Sequence, residues 1–126
     1  DDRVLNVRRI GWVAALLARH GGIAVCAPIA PYEVMRREMR ERAEAAGRFL
    51  LVHVSTPLDV CEKRDRKGLY AKARAGEVAQ FTGISDPYEV PTDAELVIDA
   101  SVVSPADAVR QIITRLREID AAPSRP

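Results

Sequence analysis

The chain has 126 residues, 48% of them hydrophobic, with 19 basic against 18 acidic side chains and a net charge of +1. That length supports one α/β unit with a real core, and the near-neutral balance argues against a nucleic-acid or membrane partner. Cys26 and Cys61 lie far apart with no Cys-x-x-Cys and no nearby His pair, which excludes zinc spacing and a disulfide scaffold and predicts buried free thiols in a reducing cytoplasm. No apolar run reaches the roughly 18 residues of a membrane span, and no signal peptide is visible.

The chain opens in a helical pattern without an initiating Met or a preceding strand, as expected of a segment of a larger protein. Val4, Val7, Ile10 or Gly11, Val13 or Ala14, and Leu17 recur at helical spacing, which predicts a helix over 3–20 with Asp1 and Asp2 at its positive end and Gly21-Gly22 as its stop. The unalternating run IAVCAPI (23–29) predicts a strand covered on both faces. An Arg- and Glu-rich helix over 31–46 follows. Its Arg36, Arg37 and Arg40 are expected to pair with Glu38, Glu41 and Glu44 on a solvated face. Further strands are predicted at 48–55 and 94–101, a short helix at 57–64, and a final helix over 105–119 with Val109, Ile112, Ile113, Leu116 and Ile119 on one face. Alternation of this kind specifies a parallel sheet.

Ala30-Pro31-Tyr32-Glu33, Thr56-Pro57-Leu58-Asp59 and Ser104-Pro105-Ala106-Asp107 each read as cap, Pro, then an acid two further on. Thr56 and Ser104 are ordinary caps on this reading. Ala30 lacks a capping oxygen, and a helix start left open at the carboxyl edge of a parallel sheet suits an anionic or hydroxylic ligand. Between the last two strands, Arg64, Arg66, Lys67, Lys72 and Arg74 outnumber Asp65 and Glu77, and Gly68, Gly76 and Gly83 permit hinging. Phe81 stands among small and polar neighbours. A basic lid with a ring able to stack on a base suggests a nucleotide; the competing reading is a solvated loop. His20, His53 and Trp12 read as structural, Trp12 in the core or at a dimer contact.

Four motifs then carry a family likeness: Asp-Arg-x-x-Asn-x-Arg-Arg at 2–9, Ile-x-Pro-Tyr at 29–32, Arg-Asp-x-Lys-Gly-Leu-Tyr at 64–70 and Phe-Thr-Gly-Ile at 81–84. Together they resemble adenylylsulfate kinase, which phosphorylates the 3′-hydroxyl of adenosine 5′-phosphosulfate (APS) to give 3′-phosphoadenosine 5′-phosphosulfate (PAPS). The likeness runs to about Leu116. It implies a three-layer α/β/α parallel sheet of the P-loop kinase type, with residues 1–120 as the C-terminal part of the domain and 121–126 as a frayed tail. It also implies cytoplasmic sulfate assimilation, a homodimer, and fusion to a sulfate adenylyltransferase.

Residue by residue, the resemblance places Arg3 on the sulfate or phosphate of APS and Asn6 on the same substrate. Ile29 and Ala30 fall near its ribose and adenine, Lys67 in the lid, and Phe81 over its adenine. Arg64 and the backbone around Val103 fall where the family holds the ATP adenine. Ala30 stands where members commonly carry Ser, which removes any covalent phosphoserine role and leaves direct transfer open. No Gly-x-x-x-x-Gly-Lys-Ser/Thr occurs in the 126 residues, and the family's Asp-Gly-Asp segment is absent too. The chain is therefore expected to carry the APS clamp and lid without catalytic groups, to bind no Mg²⁺ by itself, and to be inactive alone. Either the P-loop lies elsewhere in a longer protein or a partner supplies it. The alternative is a non-catalytic module that binds APS or PAPS and regulates a fused adenylyltransferase.

Overall fold

The computed structural model describes residues 2–121, so Asp1 and residues 122–126 of the expected tail lie outside the described residues. The chain divides into two compact units, Asp1–Phe49 and Leu50–Pro126.

In the first unit, α1 (Asp2–Arg19) packs on α2 (Glu33–Glu44). The buried positions of α1 are Val7, Gly11 and Ala15, an i, i+4, i+8 stripe. The small residues allow close approach: a Cβ at Gly11 would lie 3.2 Å from Met39 Cγ. Met35, 1% exposed like Val7, fills the centre of the seam. The predicted apolar face is wider than this. Val13 and Leu17 are about half exposed, because one helix partner covers one stripe only. Trp12, expected in a core or dimer contact, is exposed as well. Arg8 and Glu38 form a bidentate pair across the seam at 2.7 and 2.8 Å, and each partner strengthens the charged form of the other.

Three expectations for this unit are corrected. Residues 23–29 form no strand, because among the described residues nothing pairs with them; Ile23 and Val25 are 84% and 93% exposed. The cap of α2 is Tyr32 in extended conformation, not Ala30, so the helix starts two residues later than predicted. Arg36 is buried, and Glu38 is spent on Arg8; only Arg37 with Glu33 and Arg40 with Glu44 keep i,i+4 geometry on α2. Arg40 also lies over the Phe49 ring, 4.8 Å from its centroid.

In the second unit, β1 (Val52–Val54) pairs in parallel with β2 (Leu96–Ile98), Val52 opposite Leu96. The Glu95 carboxylate extends the ladder by accepting from the Leu51 amide at 2.7 Å. Between the strands lie α3 (Leu58–Arg64) and α4 (Leu69–Arg74), and after β2 comes α5 (Pro105–Ala121). Ala121, expected to open the tail, is thus helical. Ser104 caps α5 as predicted, its Oγ accepting from the Asp107 amide at 3.1 Å. Thr56 does not cap α3. Its Oγ1 accepts from Ala100 N at 3.1 Å and fastens the strand ends together, leaving Pro57 at the cap. Val109, Ile113 and Leu116 of α5 are partly exposed. Neither thiol is buried: Cys26 is exposed and Cys61 intermediate, and both are free.

Candidate functional site

Arg3 and Asn6, one turn apart on α1, share an open cleft of about 510 Å³ with Ile10 and the extended segment 25–29, including Ile29. The i, i+3 spacing puts both polar side chains on one side of the helix. A guanidinium and a carboxamide beside apolar Val25 and Ile29 make a surface able to hold an anionic group next to a less polar ring. Ala30 is not part of the lining; its carbonyl accepts a hydrogen bond from Arg36 Nη1 at 2.8 Å. Cys26 lies in this cleft, a position for which its spacing gave no sign.

In the second unit, Arg64 to Gly83 is more ordered than a solvated loop. Gly68 turns the chain in the left-handed region at φ 66°, and Asp65 then reaches forward to accept from the Tyr70 and Ala71 amides, both at 3.0 Å. Those backbone hydrogen bonds satisfy the start of α4 and hold the Asp65 carboxyl below its usual range. In the sequence Asp65 is an offset to the basic residues and part of the 64–70 motif; its place three residues before Gly68 is the available signal for this capping role.

The five basic residues divide into two groups. Arg74 is neutralised by Glu62, with Nη2 at 2.5 Å from Oε1, and Arg64 Nη2 donates to the Ala100 carbonyl at 2.9 Å. Arg66, Lys67 and Lys72 pair with no carboxylate among the described residues, and the bond of Arg64 to a neutral carbonyl leaves its charge in place, so the segment keeps an excess of positive charge, with Lys67 exposed on the turn before α4.

Phe81 is better supported than its sequence neighbours suggest. Its ring meets the edge of Tyr70 at 5.1 Å with an interplanar angle of 67°. Its carbonyl accepts from the amides of Ile84, Ser85 and Asp86, and its own amide donates to Ser85 Oγ at 2.9 Å. Gly83, at φ 85°, closes this turn, and Gln80 enters it at φ 55°, a backbone state uncommon for a residue with a side chain. Tyr70 is itself partly buried, which raises its hydroxyl pKa, with the Cys61 thiol adding to the effect.

Arg64 also borders the turn 99–103. There Val102 and Val103 amides donate to the Asp99 carbonyl, while hydrogen bonds from Ser101, helped by the Arg64 charge, keep the Asp99 carboxyl ionised below its usual range. Arg64 and the backbone leading to Val103 are therefore brought to one corner, whose cation and backbone groups suit a polar ring edge. Among the described residues no group of three or more His, Cys, Asp or Glu could hold a metal ion. No described helix is long and apolar enough to cross a membrane.

Parallel strands joined through helices, as found here, belong to the α/β class, and comparison with solved structures specifies the P-loop kinase fold. The chain superposes on the Mycobacterium tuberculosis APS kinase in complex with AMPPNP and APS with a TM-score of 0.87 and 41% identity, covering 92% of this chain and 67% of that one. A hexameric APS kinase from Thiobacillus denitrificans gives 0.63 and 35%, over 92% of this chain and 18% of its own. The family model for adenylylsulphate kinase matches residues 1–99, and the chain belongs to that family.

Sulfate adenylyltransferases from Phaeosphaeria nodorum and Yarrowia lipolytica are each 53% identical to it over 116 residues, 92% of this chain. The chain spans 20% of the length of these relatives.

Proposed function

We propose that the protein takes part in ATP-dependent phosphorylation of the APS 3′-hydroxyl, and that this chain supplies groups that bind and enclose APS. The observation that carries the reading is the cleft in which Arg3, Asn6 and Ile29 converge, in a chain of the adenylylsulfate kinase family. In the reaction the 3′-oxygen forms a bond to the γ-phosphorus of ATP, the bond from that phosphorus to the β,γ-bridging oxygen breaks, ADP leaves, and the hydroxyl proton passes to a base. Such transfers depend on positioning and on neutralising charge, and Mg²⁺ accompanying ATP supplies part of that neutralisation.

In this assignment Arg3 donates to the phosphosulfate oxygens and Asn6 fixes their orientation. Ile29 and the backbone at Ala30 border the ribose and adenine. In the second unit, Phe81 covers the adenine, Lys67 brings positive charge to the substrate, and Arg64 with the backbone near Val103 borders the ATP adenine. No proton-transferring group is assigned to these residues. The similarity to sulfate adenylyltransferases supports a fused arrangement in which that enzyme produces APS for this site. Homodimerisation and a cytoplasmic setting complete the proposal.

The test is a transfer assay on the full-length protein with ATP, Mg²⁺ and APS, resolving PAPS and ADP chromatographically. Stoichiometric PAPS and ADP support the reading. Tight APS or PAPS binding without turnover would replace it with a regulatory binding site, and absence of both would remove it.

A further inference from the structure

Thr56 and Ala100 meet where the two strands end. Ser55 still belongs to the ladder, its amide donating to the Ile98 carbonyl at 2.8 Å, and Thr56 is the next residue. Instead of capping α3, its Oγ1 accepts from the Ala100 amide at 3.1 Å. Two local features aim that hydroxyl. The residue before a proline is held in extended backbone, and Pro57 follows directly. A β-branched side chain also has few χ1 choices.

The N–H that Thr56 holds belongs to the peptide group between Asp99 and Ala100, and the carbonyl on the opposite edge of that group organises the turn beyond it. This Asp99 carbonyl accepts from the Val102 amide at 3.2 Å and from the Val103 amide at 2.9 Å. A planar peptide group cannot turn its carbonyl without turning its N–H, so fixing one fixes the other. The next peptide group is held too. Its Ala100 carbonyl accepts from Arg64 Nη2 at 2.9 Å, and its Ser101 amide donates to Asp99 Oδ1 at 2.8 Å. The amides of residues 100 to 103 are therefore all engaged within the protein, and what the backbone of this turn can offer a ligand is acceptors.

We infer that Thr56 is a positioning residue for the nucleotide and a determinant of which base is taken: by fixing the peptide between Asp99 and Ala100, it keeps the 99–103 turn presenting carbonyls and withholding amides. An exocyclic amino group, as on adenine, donates to such an edge, whereas the oxo group at the same place on guanine would set acceptor against acceptor. The inference rests on the proposed placement of the ATP adenine beside Arg64 and the backbone near Val103; the geometry of the tether does not. Arg64 contributes charge at this corner, and Thr56 contributes orientation.

The experiment compares wild type, Thr56→Val and Thr56→Ser in the full-length protein. Amide hydrogen exchange reads the turn. The rate of PAPS formation reads the nucleotide, through KM for ATP and for APS and through inhibition by ADP and by GDP. Thr56→Val keeps the shape of the side chain and removes the acceptor. Exchange at Ala100, Val102 and Val103 should then accelerate by about two- to tenfold, the scale of one neutral hydrogen bond, while α5 and the β1–β2 ladder retain their protection. The KM for ATP and the inhibition constant of ADP should rise by a similar factor, the KM for APS should move by less than about twofold, and the preference for ADP over GDP should narrow. Thr56→Ser keeps the oxygen and should recover most of each effect. If the Val variant fails to fold, Thr56→Ala set against Thr56→Ser makes the same comparison. Unchanged exchange at the turn, equal rises in KM for ATP and APS, or an unaltered preference for ADP over GDP would overturn the proposal. Faster exchange at the turn in a protein that forms no PAPS would leave the tether standing and overturn the nucleotide assignment instead.

Discussion

Replacing Phe81 with alanine isolates what its ring does, because the backbone around it is held independently. The carbonyl of Phe81 accepts three amides of the 84–86 turn and its own amide bonds Ser85 Oγ, and all four interactions survive truncation to Cβ. What is lost inside the protein is the edge contact with Tyr70, about 0.5–1.5 kcal/mol beyond area burial. What is lost to substrate is a face for the adenine, worth roughly 1–3 kcal/mol by analogy with base stacking in single-stranded sites. At about 1.4 kcal/mol per factor of ten, the substrate loss corresponds to a rise of roughly 5- to 150-fold in the APS dissociation constant. Titration calorimetry with APS, alongside KM values for APS and ATP in the full-length protein, reads this directly. Tyr70→Phe is the control: it keeps the ring edge against Phe81 and should move APS affinity by less than about twofold. Equal weakening of APS and ATP, or an unchanged APS dissociation constant in Phe81→Ala, would refute the assignment of the ring to the APS adenine.

Arg3→Ala should lower APS affinity by about tenfold or more, the scale of a lost charged hydrogen bond, and should flatten the salt dependence of binding measured at two ionic strengths; no change in either would detach Arg3 from the anion. Asp65 has a pKa below its ordinary value because the ionised form accepts the Tyr70 and Ala71 amides. Its stabilising effect is therefore fully present above the unfolded carboxylate pKa of about 4 and fades as pH falls through the depressed folded value. Exchange at those two amides should accelerate in that acidic window, and Asp65→Asn should remove the pH dependence. Met35→Ala should cost about 2–5 kcal/mol in denaturant unfolding by opening a cavity at the α1–α2 seam, whereas Val34→Ala, at a position 48% exposed, should stay within about 0.5 kcal/mol; similar losses for both would refute the seam as described.

Legibility in the sequence followed how local each feature is. The short helix expected over 57–64 and the Ser104 cap depend on neighbours within a turn; the cap stands as read, and the helix is present one residue shorter, over 58–64. Phe81, by contrast, looked solitary because its supporting ring arrives from α4, and nothing in VAQFTGIS names Tyr70. Thr56 has the composition of a cap but is claimed by Ala100, 44 residues away, a competitor no local window contains. Arg36 sits in a run of charged residues whose helical pairing is sound for Arg37 and Arg40; only tertiary burial sets it apart. The 23–29 run has the apolarity of a strand, yet a strand exists only where a second chain segment completes its ladder.

The parallel pairing of β1 with β2 joins residues 44 apart, and the whole intervening stretch, with α3, α4 and the Phe81 turn, is the connection between them. Loop-closure entropy grows only logarithmically with length, by about 0.6 kcal/mol for each doubling. Lengthening or shortening this connection by a few residues therefore changes the stability of the sheet very little, provided the strand ends still meet. During synthesis the consequence is temporal: Lys67 and Phe81 leave the ribosome before β2, the strand that closes the sheet behind them. The same arrangement separates gripping from closure, because a side chain of the connection can be exchanged without touching the β1–β2 ladder.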